Sequence, residues 1–137
     1  MRIQNLLSII VFSTAIMLTI PASAQEGQGG GQDFKVDLNI NGCQFSGGSD
    51  DYGNVVVQKN TGSKKIQVEV LYADDYTVET PVFSGEGADQ MRATPSGKII
   101  NIFNANTGPA DVYYAIKLKH NSNASLDITC DPKIVNN

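Results

Sequence analysis

Apolar and polar residues alternate along much of this chain, and this period of two restricts the fold more than any other feature. Every second side chain is apolar from Phe34 to Ile40, and the pattern recurs in Ile66–Tyr72 and Val112–Lys119. Side chains of a β-strand point alternately to the two faces of a sheet, so each run predicts a strand with one buried face. Because no segment after residue 24 keeps the 3.6-residue spacing of a capped helix, we expect a helix content close to zero.

Turn-forming residues separate the apolar runs at intervals of roughly 8 to 12 residues, which is typical of β-sandwiches. We therefore predict an all-β, antiparallel β-sandwich of about seven or eight strands. It is immunoglobulin-like only in a loose sense, because the chain has no Trp to pack against a central disulfide. Thr94–Gly97 is predicted to form a tight turn with Pro95 at its second position.

The first 24 residues predict export. Arg2 precedes an apolar run from Leu6 to Ile20, and small residues follow as far as Ala24, which is the pattern of a signal peptide. As a helix the run would span only about 22 Å, less than the roughly 30 Å hydrocarbon core of a bilayer. Cleavage before Gln25 is therefore favoured over a membrane anchor, and we expect a periplasmic or secreted protein.

Removal of 24 of the 137 residues leaves 113, a usual size for one domain. Residues 25–32 contain Gly and Gln but no apolar side chain, so they are predicted to be a flexible leader. Residues 33–137 are predicted to be the single sandwich domain. Loss of Arg2 leaves nine basic and 14 acidic residues, and this acidic balance argues against nucleic acid and anionic membranes as partners.

The two cysteines, Cys43 and Cys130, predict a disulfide bond, because an exported chain meets an oxidising compartment. The bond would enclose 86 residues, and closing a loop of that size contributes on the order of 4 to 5 kcal/mol. The alternatives are two free thiols or a redox pair, but redox pairs usually have a Cys-x-x-Cys spacing that is missing here. Cys43 does not fall on the alternating apolar positions of the run from Phe34 to Ile40. We therefore expect the bond at a bulge beside Gly42 or at the rim of the domain.

Residues of common catalytic centres are scarce. His120 is the only histidine, whereas type 1 copper and catalytic zinc sites need two or more His or Cys ligands. No Gly-x-Ser-x-Gly motif marks a nucleophilic serine. We interpret His120 as a surface residue at the end of a hairpin, and we expect a protein that is not an enzyme and has no cofactor.

Calcium is the ion for which the sequence offers ligands. Asp50, Asp51, Asp74 and Asp75 lie in predicted loops, and oxygen-rich loops at one end of a sandwich can converge on a hard cation. Their spacing matches no EF-hand, so the ordinary interpretation is that they are solvated turn residues. A calcium site is the alternative.

Three tyrosines, Tyr52, Tyr76 and Tyr113, are candidate ligand contacts. In a regular strand Tyr113 and Tyr114 point to opposite faces, so one of them is exposed and available to stack on a sugar ring or a partner surface. The alternative for each is ordinary cross-strand packing.

The C-terminal half resembles the DP-EP family of small bacterial proteins. The likeness is carried by Asn121–Cys130 followed by Asp131–Asn136, in the pattern Asp-Pro-x-Ile-x-Asn, and by Ser96–Asn104, Val112–Lys119 and Thr80–Phe83. Members of that family have no established activity. The resemblance therefore implies a small β-sandwich and supplies no catalytic residue.

Taken with the export signal, these features predict a binding or interaction module whose partner is a protein or a carbohydrate. A small metal-dependent hydrolase or a calcium-dependent binder, using the Asp50–Asp51 and Asp74–Asp75 loops, is the first alternative. A structural subunit of a surface assembly is the second.

The C-terminal tail is expected to dock on the domain. Pro132 lacks the N–H of a central strand, so the preceding strand should end at Cys130 or Asp131. The tail then either dangles or folds back over the edge of a sheet, and the apolar pair Ile134-Val135 favours docking. Truncation after Pro132 is predicted to lower the melting temperature by several degrees.

Overall fold

The computed structural model describes residues 32–137, which form eleven β-strands and two single-turn 3₁₀ helices, at Ala88–Gln90 and Ala124–Leu126. The predicted signal peptide and the predicted leader, apart from Gln32, lie outside the described residues. The strands are β1 (Phe34–Asn39), β2 (Gln44–Gly47), β3 (Val55–Val57), β4 (Lys64–Leu71), β5 (Tyr76–Val78), β6 (Val82–Glu86), β7 (Met91–Ser96), β8 (Ile99–Asn104), β9 (Ala110–His120), β10 (Ile128–Cys130) and β11 (Lys133–Asn136).

The strands form two sheets. Sheet one has five strands in the order β2-β1-β4-β8-β7. Sheet two is built around the long strand β9, which pairs with β10 and β11 and also with β5 and β6, while β3 pairs with β11. Within the described residues the chain changes sheet five times, from β2 to β3, from β3 to β4, from β4 to β5, from β6 to β7 and from β8 to β9.

The inward side chains of both sheets share a single hydrophobic core, so the prediction of an all-β sandwich is confirmed. Within strands, buried and exposed positions alternate as the sequence indicates; in β9 every second residue from Ala110 to Leu118 is buried. The largest fully buried side chains include residues from each sheet: Leu38, Ile66, Ile100 and Ile102 from sheet one, and Tyr114, Ile116, Leu118 and Ile134 from sheet two.

The predicted strand number and purely antiparallel arrangement are wrong. The described residues contain eleven strands, because three-residue strands such as β3 and β5 are too short to show an alternation in sequence. Two strand pairs, β1 with β4 and β3 with β11, are parallel. The β1–β4 pair arises because the chain crosses through β2 and β3 before it returns to sheet one in the original direction.

The predicted turn at Thr94–Gly97 is also displaced. Pro95 lies within β7, opposite Ile100, and the turn is the two-residue connection Gly97-Lys98 between β7 and β8. Gly97 has a φ of 61°, a conformation that glycine adopts readily at the first position of a tight hairpin. Because β7 is the edge strand of sheet one, Pro95 removes an N–H that a ladder bond on its outer side would need.

The C-terminal tail docks, but not at the sheet edge. β10 ends at Cys130, as Pro132 predicts, and Lys133–Asn136 then forms β11 between β9 and β3. Ile134 is fully buried in the core. The tail is therefore an internal strand of sheet two, because its partner β3 comes from the other end of the chain.

A buried pair of amides joins the two sheets beside this strand. Asn104, at the end of β8, donates to Asn136 Oδ1 at 2.6 Å, and Asn136 Nδ2 lies 3.2 Å from Asn104 Oδ1. Asn136 also donates to Gln90 Oε1 at 3.2 Å. Both asparagines are almost completely buried, and hydrogen bonding of this kind is what permits buried amides.

Replacing Asn136 with Ala is expected to lower the free energy of unfolding by about 2 to 4 kcal/mol, because the buried Asn104 Nδ2 loses its hydrogen-bond acceptor. The neighbouring variant Asn137→Ala, which alters an exposed side chain, provides the control and should unfold like the wild type. Urea titrations of the two variants measure the difference. Equal midpoints would show that the amide pair does not stabilise the fold.

The predicted disulfide between Cys43 and Cys130 is present, with the two Cα atoms 5.6 Å apart. Cys43 lies in the turn between β1 and β2 of sheet one, whereas Cys130 ends β10 of sheet two. Cys43 has a φ of 52° and is half-buried, while Cys130 is buried. The bond therefore joins the two sheets at the rim of the domain, one of the two positions that the sequence left open.

Candidate functional site

The corner between β4 and β5 carries an exposed aromatic residue on an unfavourable backbone. Tyr72 has a φ of 59°, and 72% of its surface is accessible. The next residue, Ala73, is buried, so the left-handed turn at Tyr72 directs the chain from sheet one back into the core on its way to sheet two. Gly or Asn adopts this conformation at lower cost than a bulky side chain.

Lys98 fixes the corner to the hairpin of sheet one. Its ammonium group donates hydrogen bonds to the carbonyl oxygens of Ala73 and Tyr76. The Lys98 carbonyl in turn accepts from the Val70 N–H at 2.8 Å. Lys98 thus satisfies carbonyl groups at the sheet-to-sheet crossing that no strand pairs.

A shallow cleft of about 250 Å³ lies beside the corner, between the edges of the two sheets. One wall is the edge strand β5, and the other is the end of the β7–β8 hairpin. The cleft contains an aromatic ring, a hydroxyl, a proline ring and an ammonium group. Its lining residues are Tyr76, Thr77, Val78, Pro95, Gly97 and Lys98.

His120 supports Tyr76 from the end of β9. The two rings are 5.0 Å apart between centroids and almost perpendicular, at 88°, a favourable aromatic arrangement. His120 Nδ1 accepts from the N–H groups of Ser122 and Asn123 at 3.3 and 3.2 Å. His120 lies at a strand end, as predicted, and in this structure it holds a turn and buttresses Tyr76.

The four aspartates of the predicted calcium alternative lie in two separate loops. Asp50 and Asp51 follow β2, whereas Asp74 and Asp75 follow β4. Because β2 is antiparallel to β1 and β1 is parallel to β4, the two loops leave sheet one at opposite ends. One ion cannot contact all four carboxylates, and no group of three or more potential His, Cys, Asp or Glu ligands occurs within residues 32–137.

Asp50 organises the loop that displays Tyr52. Its carboxylate accepts from the Tyr52 N–H at 3.0 Å and from Asn54 Nδ2 at 2.8 Å. The hydrogen bond from Asn54, followed by that from the Tyr52 backbone, lowers the pKa of Asp50 below its ordinary value of 3.8. The loop is also anchored to the core, because the buried Tyr114 hydroxyl donates to the Gly53 carbonyl at 2.8 Å.

The variant Asp50→Asn is expected to weaken the acid sensitivity of folding. A carboxylate with a lowered folded-state pKa stabilises the protein fully above its unfolded-state pKa, and this stabilisation is lost as the pH falls through the lower folded-state value. At neutral pH the variant should therefore melt below the wild type, and the difference should vanish in strong acid. Melting temperatures measured from neutral to strongly acidic pH test this.

Asp51→Asn is the matched control for Asp50→Asn. Asp51 is the adjacent exposed acid, and its φ of 62° is one that Asn tolerates. This variant should follow the wild-type pH dependence. An identical profile for both variants would contradict the role of Asp50.

The three predicted tyrosines lie at three different places. Tyr76 is in the cleft, Tyr52 is 74% exposed in the loop after β2, and Tyr113 is half exposed on the outer face of sheet two. Lys133 Nζ lies 5.5 Å from the centre of the Tyr113 ring and 2.6 Å from an Asp111 carboxylate oxygen. The environment of Tyr113 is thus consistent with the cross-strand packing alternative.

Two residues of the corner were missed by the sequence interpretation. The alternation Ile66–Tyr72 placed Tyr72 on the buried face, but β4 ends at Leu71 and Tyr72 is exposed. Lys98 gave no signal, because its partners are carbonyl groups that belong to another strand connection. In the sequence, only Asp74-Asp75 before Tyr76 indicated a turn between these two strands.

The sequence matches no protein-family model and no curated protein. Within residues 32–137 no helix is long and apolar enough to cross a membrane. The disulfide is compatible with a periplasmic or extracellular location.

Proposed function

We propose that this protein is a non-enzymatic binding module that acts outside the cytoplasm and contacts its partner through the corner formed by Tyr72, Tyr76 and Lys98. The observation that carries the proposal is the exposed Tyr72 on a left-handed backbone. Tyr72 is not part of the hydrophobic core, and its conformation costs a non-glycine residue roughly 1 to 2 kcal/mol. A residue that the fold itself disfavours is a candidate for a role outside the fold.

The surroundings of Tyr72 support recognition of an external surface. An exposed tyrosine offers a rigid, amphipathic contact at low conformational cost. Asp74 and Asp75, both exposed, add hydrogen-bond acceptors, and Tyr76 and Lys98 line the adjacent cleft. These groups suit a sugar ring or a polar protein surface, the two kinds of partner that the sequence predicts.

Capture of partners from a native cell-envelope extract tests the proposal. Immobilised wild-type protein should retain a protein, identified by mass spectrometry, or a saccharide, identified after acid hydrolysis. The variant Tyr72→Asn should lose that partner while its melting temperature stays equal or rises, because Asn accepts the left-handed backbone more readily. Loss of binding without loss of stability separates a contact residue from a structural one.

Tyr52→Ala is the matched control. Tyr52 is as exposed as Tyr72, but its loop leaves sheet one at the opposite end, so this variant should bind like the wild type. Retention of the same partner by Tyr72→Asn, or its loss only in Tyr52→Ala, would refute the assignment of the corner.

A further inference from the structure

The turn between β1 and β2 contains the only Asn-Gly pair among the 137 residues, Asn41-Gly42. The turn consists of residues 40–43, between the paired ends Asn39 and Gln44. It also carries Cys43, which forms the disulfide with Cys130. A chemical change in this turn would therefore occur where the two sheets are joined covalently.

The two groups of a deamidation reaction are unrestrained in this turn. Asn41 and Gly42 are both exposed. Within residues 32–137, neither the Asn41 side chain nor the Gly42 N–H takes part in a hydrogen bond; only the Asn41 backbone N–H does, donating to the Asn39 side chain at 3.0 Å. Apart from the adjoining residues, no atom lies within 4 Å of the position that a Gly42 Cβ would occupy, so Gly42 borders open space on that side.

We propose that Asn41 is a site of spontaneous deamidation. The backbone nitrogen of Gly42 attacks Asn41 Cγ and forms a five-membered succinimide, while the side-chain nitrogen leaves as ammonia. Water then opens the ring at one of its two carbonyl groups and yields either aspartate or isoaspartate at position 41. The reaction consumes one water, releases one ammonia and needs no oxidant, metal or enzyme.

Glycine at position 42 is what favours this reaction. A side chain on the residue after asparagine hinders the approach of its nitrogen, whereas glycine has no Cβ and makes the backbone more adaptable. The product places a new carboxylate two residues from Cys43. In the isoaspartate form the main chain of the turn is one carbon longer, which alters the geometry of the segment that holds the disulfide.

Other exposed asparagines provide an internal comparison. Asn121 is also exposed and lies in a turn, but it precedes Ser122, and its Oδ1 accepts from the Thr77 hydroxyl at 2.8 Å. Asn121 is therefore restrained at the side chain and followed by a residue that has a Cβ. It should remain an amide while Asn41 reacts.

Prolonged incubation of the purified, disulfide-bonded protein at mildly alkaline pH tests the proposal. We expect the intact mass to rise by the difference between an amide NH₂ and a hydroxyl, with the change mapped to Asn41 and with both aspartate and isoaspartate in the digest. The variant Asn41→Gln keeps Gly42 and the turn but would require a larger ring, so its mass should stay constant.

A free peptide of residues 39–44, with Cys43 alkylated, gives the rate of deamidation in the absence of the fold. If Asn41 in the protein stays intact over the time in which the peptide deamidates, the fold protects it and the proposal is wrong. Deamidation at Asn121 before Asn41 would overturn it equally. A second variant, Gly42→Ala, needs a melting curve to show that it is folded, because Gly42 has a φ of 80° and alanine is strained in that conformation.

Discussion

Truncation after Pro132 is expected to destabilise the folded domain strongly. The truncated chain lacks β11, so β3 loses the strand that joins it to sheet two, and the core loses Ile134. Burial of Ile134 contributes about 2 to 3 kcal/mol, and the orphaned amide of Asn104 costs about 1 to 3 kcal/mol more. At roughly 4 °C per kcal/mol, the melting temperature should fall by about 12 °C or more, well beyond the few degrees expected for a tail at a sheet edge.

A synthetic peptide of residues 131–137 provides the positive control for the truncation. Added in excess, it should occupy the gap between β9 and β3 and raise the melting temperature towards that of the wild type, because a ligand that binds only the folded state stabilises it by mass action. The same peptide with Ile134→Asp should not raise the melting temperature. The variant Asn137→Ala, which alters an exposed side chain and keeps the backbone N–H that donates to the Val57 carbonyl, should melt like the wild type. A truncated protein that melts like the wild type would contradict the internal position of β11.

Loss of the disulfide is expected to have an effect of similar size. The double variant Cys43→Ala, Cys130→Ala frees a loop closed over a sequence separation of 87, and the entropy gained by the unfolded chain corresponds to about 4 to 5 kcal/mol. Alanine is the suitable replacement at position 130, because a serine hydroxyl there would be buried. Denaturant titration of the double variant against the oxidised wild type measures the loss.

The reduced wild type is the control for the disulfide experiment. In reducing buffer the wild type loses the bond but keeps both sulfur atoms. A decrease in stability that came only from the cavity left by the missing sulfur atoms would therefore occur in the double variant and not in the reduced wild type. Both samples should therefore show the same decrease in unfolding free energy. Equal stability of the oxidised and reduced wild type would show that the bond does not restrict the unfolded chain in the expected way.

The C-terminal residues Pro132, Ile134 and Asn136 have structural roles. Pro132 separates β10 from β11, Ile134 fills the core, and Asn136 bonds to Asn104 of the other sheet. Each of these roles depends on the place of β11 between β9 and β3. The end of the chain therefore builds the sandwich, whereas Tyr72 and Lys98 of the proposed binding corner lie elsewhere in the sequence.

The long strands, the all-β class and the disulfide could be predicted from the sequence, because alternation over six or more residues and a lone pair of cysteines are strong local signals. The alternation in β9 gave the correct buried face along its whole length. The same rule failed at Tyr72, since the period continues in the sequence after the strand has ended. Short strands such as β3 and β5 left no readable pattern.

The sequence by itself determined which side chains of the long strands are buried and where the chain turns, because these depend on the character of neighbouring residues. Only the tertiary structure decided strand order, the two parallel pairs and the internal place of β11, since they depend on which distant segments meet. The candidate site belongs to this second group. Tyr72 and Lys98 acquire their roles where the chain crosses from one sheet to the other, because only the fold brings the Lys98 ammonium group to the carbonyl oxygens of Ala73 and Tyr76.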